Sequence, residues 1–355
     1  MYLKHFGLTA QPFQLTPDIG FLFMSKAHGR AKSYMDYAVW NREGFVVITG
    51  EIGCGKTSLL QKFLADLNED VLVAKIFQTQ LDDVEFLQAV LVEFGLNPFA
   101  AKKVELLDML NSFLIEQYQH NRRIVLVVDD AHNLGFKALE EIRMLGGLET
   151  RKDKILQVIL IGQPQLRENL DHPDMEQLAQ RVKLRYHIRA LNPEEVADYL
   201  RFRLGVAGAR NVDLFPAECL PEIYKYTGGI PRLVNTLCDT VLTCAFADGI
   251  SEISAASVTS AVEELQWLPY SERVERYRAR AALTENGDAH AMWREQAETL
   301  SRIADNTRSL DELAAVMSSM KKALTAIEVH LRADGGDAAA TPKLEKANDR
   351  REKAG

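Results

Sequence analysis

Cysteine is scarce in this chain of 355 residues. There are four, Cys54, Cys219, Cys238 and Cys244, and none forms a CxxC pair. That pattern excludes a zinc ribbon and a disulfide framework, and it suits a reducing compartment. Long hydrophobic runs are also missing. The longest, such as residues 124–128, are far too short to span a bilayer. The opening MYLKHFGLTAQPF has no apolar core of signal-peptide length. Basic charge is in deficit: 42 Lys and Arg stand against 50 Asp and Glu, a net charge of -8. Nucleic-acid binders usually carry a basic excess, so the average argues against that class while leaving a local patch open. The expectation is a soluble, cytoplasmic protein that reaches the inner membrane peripherally, through partners.

What remains is an ordinary globular balance, 47% hydrophobic and 26% charged. The length leaves room for two to three modules. Residues 1–43 mix aromatics with turn residues and then a helix. From Gly44 the pattern alternates. Strands are expected at 45–49, 71–77, 124–128 and 156–161, with a last one at 186–188. Helices are expected at 57–67, 84–94, 104–120 and 138–148. The uninterrupted β-branched run at 124–128 suits a strand buried on both faces. Such alternation predicts an α/β fold with a doubly wound parallel sheet.

After Asn192 the strand signals stop. Helices are expected at 193–204, with Pro193 as first residue, and at 216–226, 231–247 and 255–265. The division that follows is an α/β nucleotide-binding domain with its N-terminal extension at 1–191 and a small all-helical module at 192–267. A charged linker with some helical content follows at 268–290. Over 291–332 a heptad run appears, with Ile303, Leu310, Met317, Leu324 and Leu331 seven apart. The companion positions Leu300, Thr307, Ala314, Lys321 and Glu328 are apolar only at the start, so half a coiled-coil seam competes with a single amphipathic helix. The tail at 333–355 has a disordered composition.

The segment Gly50, Glu51, Ile52, Gly53, Cys54, Gly55, Lys56, Thr57 fits GxxxxGK[ST] in full, and Ser58 continues it. Glycines let backbone N–H groups turn inward to cradle phosphate oxygens. Lys56 adds a point charge for the β- and γ-phosphates, and Thr57 offers its hydroxyl to magnesium. The helix that begins here adds its positive end. A strand before and a helix after give the motif its expected context.

The run 124–128 ends in Asp129 and Asp130. Acidic residues at the C-terminal end of a buried strand stand beside the P-loop in such sheets. Asp129 is the natural magnesium ligand, reached through water, and Asp130 the natural base or water-positioning group. Capping the following turn is the plainer alternative. Gln163 closes the next strand and would sit near the γ-phosphate; a simple turn amide weighs equally. Arg181 precedes the last strand and suits an arginine finger for a neighbouring subunit. Arg232, in GGIPR, opens a helix of the second module and suits contact with the phosphates of its own subunit. Surface ion pairing is the alternative for each.

Together these elements resemble the AAA+ ATPases of the ExeA/GspA type, a general secretion pathway family. The resemblance covers roughly residues 1–267. It runs through MYLKHFGLTAQPFQLTPD, GEIGCGKTSLL, VVDDAHNL, ALEEIRMLGGLET, LIGQPQLRENL, LAQRVKLRYHIRAL and TGGIPRLVN in order. Related branches are the ATPases encoded with exosortase and exopolysaccharide clusters and the MshM-like pilus proteins. The resemblance implies ATP and Mg2+ as ligands, Gln163 as sensor 1, Arg181 as finger, Arg232 as sensor 2 and a helical lid at 192–267. Two departures stand out. The family pattern has Asp-Glu where this chain has Asp129-Asp130, and the shorter carboxylate would stand back from an attacking water. That leaves the rate of hydrolysis open, though not binding. No transmembrane helix or cell-wall-binding segment of the longer members is visible.

Three functions follow. The first is an ATPase that drives or regulates assembly of an envelope export system, with secretion, pilus or exopolysaccharide proteins as partners and a homo-oligomer as the working form. The second is a nucleic-acid-associated switch like the transposition regulators, favoured by the basic run at 181–185 and opposed by the acidic average. The third is a non-hydrolysing, ATP-gated scaffold.

Overall fold

The computed structural model describes residues 2–77, 79–98, 102–150 and 153–283. A short helix α1 (Tyr2–His5) and an irregular segment lead into α2 (Lys26–Trp40). Then β1 (Phe45–Gly50), α3 (Lys56–Ala65), β2 (Val71–Ile76), α4 (Asp83–Glu93), α5 (Lys103–Gln119), β3 (Arg123–Val128) and α6 (Phe136–Leu145) follow. The α/β part closes with β4 (Leu156–Gly162), α7 (Gln165–Asp171), α8 (Glu176–Arg181) and β5 (Leu184–Ile188). Four helices come next, α9 (Pro193–Val206), α10 (Leu220–Thr227), α11 (Pro231–Ala247) and α12 (Ala255–Glu264). The last described element is α13 (Tyr270–Leu283). The expected linker at 268–290 thus begins as a regular helix. The heptad run at 291–332 and the tail lie outside the described residues. The chain divides into a unit of Met1–Glu275 and a second of Arg276–Gly355, of which only the end of α13 is described.

The five strands form one parallel sheet in the order β2-β3-β4-β1-β5. Side chains alternate between its faces, as the two-residue period of a strand requires. Phe45, Val47, Ile124, Leu126, Val128, Leu156, Val158 and Leu160 enter one core with residues of α4, α5 and α6. Val46, Ile48, Val125, Val127, Ile159 and Ile161 enter the other, with Met35 of α2 and Leu59 and Phe63 of α3. Both faces are covered, which is why the three central strands read as apolar runs, interrupted in β4 by the buried Gln157. Order and connectivity place β4 between the strand that ends at the P-loop and the strand that ends at Asp129.

The helices α9 to α12 enclose a separate apolar core built on Leu200, Leu204, Ile223, Leu237 and Val241. The N-terminal segment, expected to extend the sheet domain, instead gives Tyr2, Phe6, Leu8, Phe13 and Phe21 to this helical core. Its aromatics are too many for a free strap, and burying them offsets the entropy of ordering an irregular segment. Arg203 of α9 fastens it. The guanidinium donates to the carbonyls of Pro12, Gln14 (3.1 Å) and Phe21 (3.2 Å), and it lies over the Phe21 ring at 4.8 Å. Burial lowers the pKa of this cation, opposed by the Tyr199 and Asp18 side chains.

Candidate functional site

The P-loop turns between β1 and α3. Gly53 and Gly55 hold positive φ, 84° and 87°, which L-residues with a Cβ adopt only under strain. Each glycine also meets a close neighbour. A Cβ on Gly53 would stand 2.5 Å from Cβ of Arg232, and one on Gly55 would stand 3.0 Å from Nε2 of His28. Four carbonyls of the loop are each met by a donor. Lys56 Nζ donates to Gly50 O at 2.8 Å and Glu51 O at 3.0 Å. The Arg232 backbone N–H donates to Gly53 O at 3.1 Å. His28 Nε2 donates to Cys54 O at 2.9 Å. Lys56 and Cys54 are buried, Ser58 is half-buried and Thr57, Glu51 and Ile52 face outward.

Asp129 leaves the end of β3 with only 4% of its surface exposed. Its backbone N–H donates to Ile76 O at 2.9 Å, which extends the β2–β3 ladder by one residue. Its carboxylate accepts from Thr57 Oγ1 at 3.0 Å and from the Asp130 N–H at 2.9 Å. Burial raises the Asp129 pKa and the Asp130 charge raises it further, while those two bonds and the Lys56 charge work the other way. Asp130 is different. It sits at φ 50°, in the left-handed region, and its side chain is 55% exposed. Its Oδ1 is 3.9 Å from Nδ1 of His132.

Gln163 follows β4 directly and is half-buried. Its backbone N–H points to His132 Nδ1 at 3.4 Å, and Asn169 of α7 donates to His132 O at 3.2 Å. The turn after Asp130 is therefore tied to the end of β4 through the ring of His132 and to α7 through its backbone. Burial pushes the His132 imidazole down to about 4, with the Lys56 charge adding and the Asp129 charge opposing.

Residues 40–170 match the family described as "AAA domain". A curated relative, "General secretion pathway protein A" of Aeromonas hydrophila, is 38% identical over 266 residues. The chain is an AAA protein of the general secretion pathway A type. The alignment covers 75% of this chain and 48% of the relative, so the chain spans about half the length of that protein. Among solved structures, Cdc6p from Pyrobaculum aerophilum aligns with a TM-score of 0.54 at 17% identity, covering 71% of this chain and 70% of that one. A Drosophila ORC structure, titled as bound to DNA, aligns with a TM-score of 0.54 at 14% identity, covering 72% and 64%. At such identities the likeness is one of fold.

Within this AAA framework the structure gathers most of the residues picked out from sequence. Lys56, Thr57 and Asp129 meet directly or through the loop, Asp130 and Gln163 join through His132, and Arg232 reaches the loop through its backbone. Arg181 lies elsewhere. It is exposed at the end of α8 and donates to Arg143 O, at the C-terminal end of α6, at 2.7 Å. Two histidines at this AAA site escape a motif reading. His132 lies three residues after Asp129 in VVDDAHNL, so its sequence neighbours point to it. His28 carries no such signal, because its contact with Cys54 spans 26 residues.

Oxygen donors are what a magnesium ion takes, and Thr57 Oγ1 beside the buried Asp129 carboxylate fits that requirement. Among the described residues no group of three or more His, Cys, Asp and Glu side chains is set to hold a metal.

Proposed function

We infer that this protein binds and hydrolyses MgATP and uses the cycle to drive or regulate assembly of an envelope export system. The observation that carries the reading is the bond from Thr57 to the buried Asp129 beside a P-loop whose Gly53 and Cys54 carbonyls are held by Arg232 and His28. The kinship with general secretion pathway protein A supports the cellular setting. No helix among the described residues is long and apolar enough to cross a membrane. Peripheral attachment from the cytoplasm, through membrane-associated partners, accords with that.

Backbone N–H groups of the loop and Lys56 bind the phosphates, while Thr57 and, through water, Asp129 would hold a magnesium ion. Bound there, magnesium would supply charge neutralisation at the phosphates. Asp130 orients the attacking water and Gln163 lies alongside it. Arg232 adds charge from the helical module, which lets that module respond to the phosphates. Arg181 acts on the site of a neighbouring copy, so turnover needs a homo-oligomer.

The exposed, short Asp130 favours a second reading, in which ATP holds one assembly state with little turnover. Steady-state hydrolysis across a protein concentration series, beside Lys56→Ala and Asp130→Asn, separates the two. Turnover that rises with concentration and vanishes in both variants supports the first. Binding without turnover supports the second.

A further inference from the structure

Every buried carbonyl needs a donor, and the P-loop recruits donors from two elements that flank it. The helical module supplies the Arg232 N–H for Gly53 O. The next carbonyl, Cys54 O, is met by His28, on the first turn of α2. His28 is 3% exposed, and its ring is held at both ends. Ser25 Oγ lies 2.7 Å from Nδ1, and Ser25 is itself the N-cap of α2, accepting from the His28 N–H at 3.3 Å.

These partners fix the tautomer. A carbonyl oxygen only accepts, so Nε2 must carry the proton toward Cys54. Nδ1 is then bare and accepts from the Ser25 hydroxyl. The ring is a neutral donor that needs no charge to do its work.

The consequence lies on the opposite side of the peptide. In a planar trans peptide the C=O and the following N–H point in opposite directions. Holding Cys54 O toward His28 therefore turns the Gly55 N–H away from His28. That N–H opens the helix of the P-loop, where phosphate-binding loops present their donors. Gly55 is needed twice over: for its φ of 87° and because a Cβ would press on His28 Nε2 at 3.0 Å.

We propose that His28 is a positioning residue of the nucleotide site, a neutral Nε2–H donor that holds the Cys54 carbonyl and so aims the Gly55 N–H at a bound phosphate. The ligand it serves is the nucleoside di- or triphosphate, and to that extent the proposal rests on the nucleotide-binding reading. Ser25 serves His28 in turn by fixing the ring.

The test uses the full chain at pH 7.5, with MgADP and MgATP as probes, and compares wild type, His28→Ala, His28→Gln and Lys56→Ala. Amide hydrogen exchange at residues 51–57 and the melting temperature are read on the same samples. Gln places an amide N–H near the position of Nε2. His28→Ala is expected to weaken both nucleotides about tenfold, the size of one buried hydrogen bond with its geometry. His28→Gln should recover most of the loss. Exchange at 51–57 should quicken in His28→Ala and return toward wild type in His28→Gln. A purely structural histidine would instead lower the melting temperature with no change confined to the loop. Unchanged affinity in His28→Ala, or a loss that Gln does not recover while exchange stays as in wild type, overturns the proposal. If wild type and Lys56→Ala handle MgATP alike, it is the nucleotide reading that fails. Exchange at 51–57 then decides the His28 contact alone: quickened exchange upholds it and unchanged exchange overturns it.

Discussion

Thr57 Oγ1 donates to Asp129 Oδ2 at 3.0 Å, across 72 residues of chain. The bond joins the first turn of α3, the helix that follows β1, to the end of β3, and β4 lies between β1 and β3 in the sheet. A carboxylate buried to this degree needs such donors. Replacing Asp129 by Ala should weaken MgATP binding at least tenfold while leaving magnesium-free nucleotide less affected. Equal losses with and without magnesium would contradict the assignment.

Gly53 carries the contact between the loop and α11. Gly53→Ala meets a φ of 84° and a Cβ placed 2.5 Å from Cβ of Arg232. The left-handed conformation alone costs about 1–2 kcal/mol with a Cβ present. Reduced stability in urea and weaker nucleotide binding are expected together. A variant as stable and as tightly binding as wild type would show that α11 does not rest on the loop.

Arg203 is a buried cation whose partners are carbonyls of the N-terminal segment. Arg203→Met should destabilise by about 3 kcal/mol, because several buried acceptors lose their donor at once. Arg203→Lys should fall between, since a point charge cannot reproduce the fork. The urea midpoint measures both. No change in either variant would remove Arg203 from the fastening of the segment.

His132 gives a pH dependence with a defined sign. Its imidazole is lowered to about 4 from 6.5, so the unfolded chain binds its proton first as pH falls. The stability tied to neutral His132 is present above about pH 6.5 and drains away down to about pH 4. Melting measured from pH 7 to 4 should show a shallower acid loss in His132→Asn than in wild type. Equal slopes would contradict the burial of a neutral ring.

Arg181 is exposed, with its guanidinium on Arg143 O. Arg181→Ala should change stability by no more than about 0.5 kcal/mol, as exposed substitutions do. Turnover should lose its rise with protein concentration, while nucleotide affinity stays. A concentration-dependent rate that survives the substitution would exclude action on a neighbouring copy.

Much of this was legible in the sequence because the signals are local. The runs at 124–128 and 156–161 read as buried strands and are, and GEIGCGKT sits between β1 and α3 as its motif requires. The last strand begins two residues earlier than its apolar signal, at Leu184, because an edge strand with alternating burial carries little of one. The short helices α7 and α8 lack the length for a clear 3.6-residue period. The N-terminal segment was misplaced for a different reason. Its aromatics announce burial but not against what, and the answer depends on Arg203, some 190 residues away. His28 was invisible for the same cause: its distant partner is the Cys54 carbonyl, and backbone carbonyls carry no residue identity.

The most direct measurement is equilibrium binding of ATP to the purified chain, with and without magnesium, in wild type and in Lys56→Ala. Saturable binding that magnesium tightens, and that Lys56→Ala reduces by at least a hundredfold, is the expected result. Binding that ignores both magnesium and Lys56 would contradict the assignment of this loop as the nucleotide site.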